Sequence, residues 1–205
     1  MARDLQPIVK RSRREGYALH PKAHKALVKR STIPGEHGRS MRRPKASQYA
    51  LQLREKQKVK RLYGLLERSF AKLMAEALRA KGQSGDSLLE FLERRLDNVI
   101  YRTGFAPSRR AARQLVTHGH FKLNGRRVDV PSMRTAIGDA ITPREGSQNS
   151  EYFKHLDELS PAPAEIPAWL KVNRKKMEIV VSALPTREDA EPDIKEQLIV
   201  EYYSR

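Results

Sequence analysis

The sequence predicts an α+β protein: a mostly helical N-terminal lobe closed by the C-terminal tail, plus a helix-turn-helix-hairpin module with a small antiparallel sheet. Three observations predict it. Apolar residues recur with the 3.6-residue period in several segments between 47 and 117, which marks amphipathic helices. Asn124-Gly125 separates two short alternating runs, and that pair suits a two-residue turn needing positive φ at both positions. The chain has 205 residues, enough to bury a real core in one large domain or two small ones.

Taken in order, residues 1–46 are basic and broken by Pro34, Gly35, Gly38 and Pro44, with too little apolar periodicity to order themselves alone. Ser47 is placed to cap a helix running "QYALQLREKQKVKRLY" up to Gly64. A second helix lies in "LLERSFAKLMAEALRAKG", where Leu66, Phe70, Leu73, Met74, Ala77 and Leu78 make one stripe and Gly82 supplies the stop. A third begins near Asp86 or Ser87, with capping-box spacing from Ser87 to Glu90. It buries Leu89, Leu92, Leu96 and Val99 and ends at Gly104. Ser108 caps a short fourth helix with Ala111, Ala112, Leu115 and Val116 inward. The hairpin then pairs Phe121 with Val128 and Lys122 with Arg127. Phe121, Leu123 and Val128 face the core, while His120, Lys122, Arg127 and Asp129 face out. "AITPR" is a further strand. Residues 146–168 read as a polar helix and a connector broken by Pro161, Pro163 and Pro167, before a strand in "MEIVVSAL" and a terminal helix from Asp193.

Charge narrows the partner. The net charge of +17 predicts a polyanion, nucleic acid before an anionic membrane surface. Residues 1–45 hold thirteen basic and three acidic side chains, residues 46–149 twenty and ten, and residues 150–205 eight and eleven. A polyanion should therefore meet the first three quarters, leaving the last quarter to face protein or solvent. No apolar run offers a membrane span, the N-terminus lacks the apolar core of a secretory leader, and the absence of cysteine fits the reducing cytoplasm and excludes thiolate metal sites.

Two basic stretches are candidates for binding. In "REKQKVKR" (54–61), Arg54, Lys58 and Arg61 stand at i, i+4 and i+7 on one helical face, a repulsive arrangement that phosphates would reverse. In "SRRAARQLVTHGHFKLNGRRV" (108–128), Arg109, Arg110 and Arg113 point away from the apolar face, and Lys122 and Arg127 line the outer hairpin. Charge mounted on a rigid unit can match the fixed phosphates of folded RNA, which is recognised largely through shape and backbone contacts. His37, His118 and His120 are read as RNA or turn contacts. His20-x3-His24 has helical ligand spacing but no matching carboxylate, so no metal, cofactor or small-molecule substrate is expected. Trp169, Tyr202 and Tyr203 lie in the acidic quarter and are read as core or protein-interface residues.

The helix–turn–helix–hairpin in 108–128 resembles the small RNA-binding module named for ribosomal protein four of the small subunit. "KRSRREG" (10–16), "PGEHG" (34–38), "QLREKQKVKRLYG" (52–64), "LERRLDNVIYRTGF" (92–105) and "LIVEYYSR" (198–205) extend the resemblance to the bacterial form of that ribosomal protein family along the whole chain. The resemblance implies three parts: a basic extension and helical lobe (1–85), the RNA-binding module (86–150), and a connector and tail packing back on the first lobe (151–205). It implies a non-catalytic constituent of the small ribosomal subunit that binds 16S ribosomal RNA and nucleates assembly of the subunit body. It also implies ribosomal protein five as a neighbour in translational accuracy, and messenger RNA where it enters the ribosome. The RNA contacts it implies extend to Lys10, Arg13, Arg14, Lys45, Tyr49, Gln52, Lys56, Tyr63, Arg68 and Asn124. Some members carry a cysteine-based zinc site, for which this chain has no ligands. The family usually has an aromatic residue at the position of Asp4, so no contact is carried over there.

Two rivals share the module. Pseudouridine synthases contain Arg-Leu-Asp, matched superficially by Arg95-Leu96-Asp97, but Asp97 falls within an amphipathic helix and is read as a structural acid on its surface. The 55 Pro-interrupted residues after 150 are too few for the α/β catalytic domain that chemistry needs. A heat-shock RNA chaperone with the module is much shorter and lacks "QLREKQKVKRLYG".

Overall fold

The computed structural model describes residues 5–39 and 45–204; Asp4 and the turn expected at Pro44 lie outside them. In chain order it contains α1 (Ile8–Glu15), α2 (Ala23–Lys29), α3 (Gln48–Leu62), α4 (Glu67–Ala77), α5 (Ser84–Glu93), α6 (Leu96–Arg102) and α7 (Arg109–Thr117). There follow β1 (Phe121–Leu123), β2 (Arg126–Val128), β3 (Ala140–Pro143), α8 (Glu145–Gln148), α9 (Glu151–Lys154), α10 (Leu156–Leu159), β4 (Leu170–Asn173), β5 (Glu178–Val181) and α11 (Glu196–Tyr203). The chain is α+β. It separates into two units, one of residues up to Leu88 with those from Asp193 onward, the other of Leu89–Pro192.

In the first unit the Ser47 hydroxyl accepts the Ala50 N–H at 3.2 Å and starts α3 where expected. Phe70, Met74 and Ala77 of α4 are fully buried, whereas Leu66 and Leu78 at the ends of the predicted stripe are exposed. The N-terminal segment, expected not to order itself alone, forms α1 and α2. Leu19 and Ala23 are buried, and the Ser12 hydroxyl donates to Ile8 O at 2.9 Å while accepting the Leu19 N–H at 3.3 Å. Ordering follows from contact with α3: Arg54 and Arg61 of α3 both donate to the Glu15 carboxylate of α1. The last helix, α11, packs on α3, with Ile194 and Ile199 buried and the Gln52 amide donating to Glu201 at 2.7 Å.

In the second unit the hairpin has the expected register, Phe121 opposite Val128 and Lys122 opposite Arg127. Asn124 and Gly125 both take positive φ, 48° and 80°, as a type I′ turn requires. Ser108 caps α7 by accepting the Ala111 N–H at 3.2 Å. Among the described residues the strands form one antiparallel sheet in the order β2-β1-β3-β5-β4. Its inner face contributes Phe121, Ile141, Ile179 and Val181 to a core that also holds Val99, Ile100, Phe105, Phe153 and Trp169. Phe121 meets Phe105 and Phe153 edge-on, at ring separations of 6.4 and 5.9 Å.

Two expectations are corrected. The third helix starts at Ser84 and is not continuous to Gly104. Arg95 takes an extended conformation and bridges Arg134, and the Leu96 and Asp97 N–H groups donate to Met133 O and Pro131 O. A neighbouring loop thus takes the bonds that would have continued the helix. The acidic quarter is also not one tail. Its residues through Pro192 complete the sheet of the second unit, and only those from Asp193 belong with α3.

Candidate nucleic-acid interface

On the second unit, α7 and the hairpin hold the predicted basic residues, but not all project outward. Asp97 is buried and accepts two hydrogen bonds from Arg95, at 3.1 and 2.8 Å, and one from Arg113 at 3.3 Å. Arg109 donates to Asn98 at 2.9 Å and to Glu191 at 3.2 Å, and lies over the Tyr101 ring. Glu93, fully buried, is held by Arg102 and by the Asn98 amide. Buried carboxylates are costly without counter-charges. These arginines supply them, so Arg109 and Arg113 are largely covered and the reading of both as freely outward is corrected. Asp97 is likewise a buried acid, not a surface one.

The hairpin sorts the remaining candidates. Lys122 pairs with exposed Glu145 at 2.8 Å, a hydrogen bond that lowers that carboxyl from its ordinary value. Asn124 is taken up by the fold: its amide donates to Asp139 at 2.8 Å and accepts the Ala140 N–H at 2.8 Å. Arg127 lies across Gly119, where a Cβ would stand 2.5 Å from its Nε, so glycine there lets the side chain lie flat on the turn. His120 bonds Ser147 at 3.0 Å, and burial, with His118 and Arg144 nearby, lowers its pKa and favours the neutral ring. Exposed on this unit are Arg110, His118, Arg127 and, missed by the sequence reading, Arg126 and Arg144. The doublet Arg126-Arg127 beside the turn was the available signal for the first of these.

On the first unit the repulsive face of α3 is neutralised from within. Arg54 and Arg61 share Glu15, whose carboxyl burial pushes up despite both arginines. Lys58 pairs with Glu55 at 2.8 Å and donates to Asp193 O. Gln52, Lys56 and Tyr63, expected among the RNA contacts, are buried within the chain: Gln52 serves Glu201, and the Lys56 ammonium sits between Glu67 and the Tyr202 ring. Arg13 donates to Thr32 O and Oγ1. Tyr49 is half exposed and stacks near Tyr202, while Lys10, Arg14, Lys45 and Arg68 are exposed. The His37 side chain lies outside the described residues.

Glu67 gives a pH-dependent readout of this packing. Burial would raise its carboxyl, but hydrogen bonds from Lys56, Lys60 and Tyr203 outweigh burial and hold it at about 2 against an ordinary 4.5. A depressed acid adds stability above its unfolded value and loses it as pH falls through the folded one. The urea midpoint should therefore drop between pH 4.5 and about 2. Glu67→Gln should flatten that part of the profile; a variant with the parent's slope would show that Glu67 contributes none of it.

His20 precedes α2 and its Nδ1 accepts the Lys22 N–H at 3.0 Å, so the His20–His24 spacing is not helical. Among the described residues no group of three or more His, Asp or Glu could hold a metal, and no helix is long and apolar enough to cross a membrane.

The family of the ribosomal protein S4/S9 N-terminal domain matches residues 3–93, and the S4 domain, the RNA-binding module, matches residues 94–141. The fold and the basic module thus define the class: a ribosomal protein built around an RNA-binding domain. The small ribosomal subunit proteins uS4 of Roseiflexus castenholzii, Chloroflexus aurantiacus and Chlorobaculum tepidum are each 50% identical over 206 residues, covering 100% of both chains. The chain belongs to the uS4 family of small-subunit ribosomal proteins. It is a structural protein and not an enzyme, and as a small-subunit component of bacterial type it is cytoplasmic.

Proposed function

We propose that the chain binds 16S ribosomal RNA directly, nucleates assembly of the subunit body, and works beside ribosomal protein five in translational accuracy, with messenger RNA as a further contact. The observation that carries this reading is the charge left over after internal pairing. Lys10, Arg14, Lys45 and Arg68 on the first unit, and Arg126 and Arg127 on the second, are exposed on ordered elements or beside them, and the side chains of Arg110 and His118 are exposed on the second unit as well. Arg54, Arg61, Arg109, Arg113 and Lys122 are held by carboxylates.

Binding to purified 16S RNA tests the reading. With ~6–10 phosphates neutralised, affinity should fall on the order of a thousandfold between ~50 and ~200 mM salt. A flat salt titration, or footprints scattered over the RNA with no preferred junction, would sink it. Loss of ribosomal protein five from particles assembled with a chain altered on α11 would support the accuracy role.

A further inference from the structure

The most acidic quarter of the chain contains some of its least neutralised cations. Lys171, Arg174, Lys175 and Lys176 fall within six positions there, on β4 and the turn leading into β5. Arg174 points inward: Nε donates to Asp157 at 3.0 Å, Nη1 to Gly104 O at 3.2 Å and Nη2 to Ser160 O at 2.8 Å. Asn173 Oδ1 accepts the Lys176 N–H at 3.1 Å, and the Met177 N–H donates to Arg174 O at 3.1 Å. Met177 sits at φ 51°, a conformation a non-glycine residue holds only where its surroundings impose it. The turn is therefore fixed to the body of its unit.

Lys171, Lys175 and Lys176 are exposed and, among the described residues, meet no carboxylate. Lys56, Lys58 and Lys60 of α3, by contrast, are each paired with one. The sheet register extends the pattern. Lys122 pairs with Thr142, two residues from Ala140, and Ala140 pairs with Val180, which pairs with Lys171. Directly opposed residues share a face, so Lys171 stands on the same outer face as Lys122 and Arg127, with Glu178 also on that face. Three strand spacings separate β1 from β4, about 14 Å.

We propose that the β4–β5 hairpin is a second phosphate-binding element for ribosomal RNA, lying outside both matched domains and presenting Lys171, Lys175 and Lys176. This rests on the reading of the chain as an RNA binder. RNA fits better than a protein partner because protein interfaces are depleted in lysine and anchored by aromatic side chains, and the hairpin holds no Phe, Tyr or Trp. Rigid spacing on an ordered sheet edge suits phosphates fixed by RNA structure.

The test is the full-length chain with Lys171→Ala, Lys175→Ala and Lys176→Ala together, titrated with transcribed 16S RNA across a salt series. The circular dichroism spectrum and melting temperature should match the parent. The slope of log affinity against log salt should become shallower by about 2–3, and affinity at ~0.1 M salt should weaken tenfold or more. Equal slope and affinity for variant and parent overturn the inference and leave the RNA reading standing. A parent chain that does not bind the RNA removes that reading and the inference with it. Unchanged RNA binding with loss of another protein from reconstituted particles would assign the hairpin to a protein partner, and also overturns the inference.

Discussion

Removal of residues 193–205 is expected to destabilise the first unit severely while the second keeps its own core. Ile194 and Ile199 are buried, and deleting either side chain from a packed site costs about 2–5 kcal/mol. The same deletion takes Glu201 from the buried Gln52 amide and the Tyr202 ring from beneath the Lys56 ammonium, and it removes the Tyr203 hydroxyl that donates to Glu67 at 2.9 Å. It also frees Lys58 from Asp193 O and Glu55 from the Lys195 N–H. Ile199→Ala alone should lower the melting temperature by on the order of 10 °C, and the truncation by more. Calorimetry of the parent, the point variant and the truncation would measure this. A truncated chain that melts like the full-length one would make α11 an appendage.

Asp97→Ala is expected to cost about 3–5 kcal/mol, because it leaves the Arg95 guanidinium buried without its carboxylate. Arg95 is 3% exposed, and its Nε and Nη2 both donate to Asp97. Arg95→Ala should cost less, since Arg113 still pairs with Asp97. Asp97→Asn keeps the shape and an acceptor and should fall between them. Urea midpoints of the three variants decide the order. The result also separates a structural acid from a catalytic one, because removing a catalytic carboxylate commonly leaves stability unchanged or improved. An Asp97→Ala chain within ~0.5 kcal/mol of the parent would contradict the structural role.

How far the basic surface was legible differs from residue to residue. Arg110 and Arg127 are expected to project outward and are exposed. Lys56, which the resemblance places among the RNA contacts, is buried against Glu67, eleven residues away, and against two tyrosines from the far end of the chain. Asn124 is legible as a turn residue, and its internal bonds are not. The same side chain that favours positive φ also reaches Asp139 and Ala140, which spacing alone does not reveal. Charge summed over the acidic last quarter hides the local excess of cations at 171–176.

The sequence by itself determined the features that depend on neighbours along the chain. Among them are the caps at Ser47 and Ser108, the apolar stripes of α4 and α7, and the Asn124-Gly125 turn with the register it imposes. Each rests on hydrogen bonds or contacts within a few residues, where local geometry leaves few alternatives. Only the tertiary structure decided which charges remain for a partner. Glu15 reaches across 39 and 46 residues to Arg54 and Arg61, and Glu201 across 149 to Gln52. It also decided that "MEIVVSAL" should complete a sheet begun at Phe121 and that the helix after Ser84 should break at Arg95. An ion pair or strand pairing between distant segments exists only once the fold brings them together, and no period or spacing in the chain encodes that meeting.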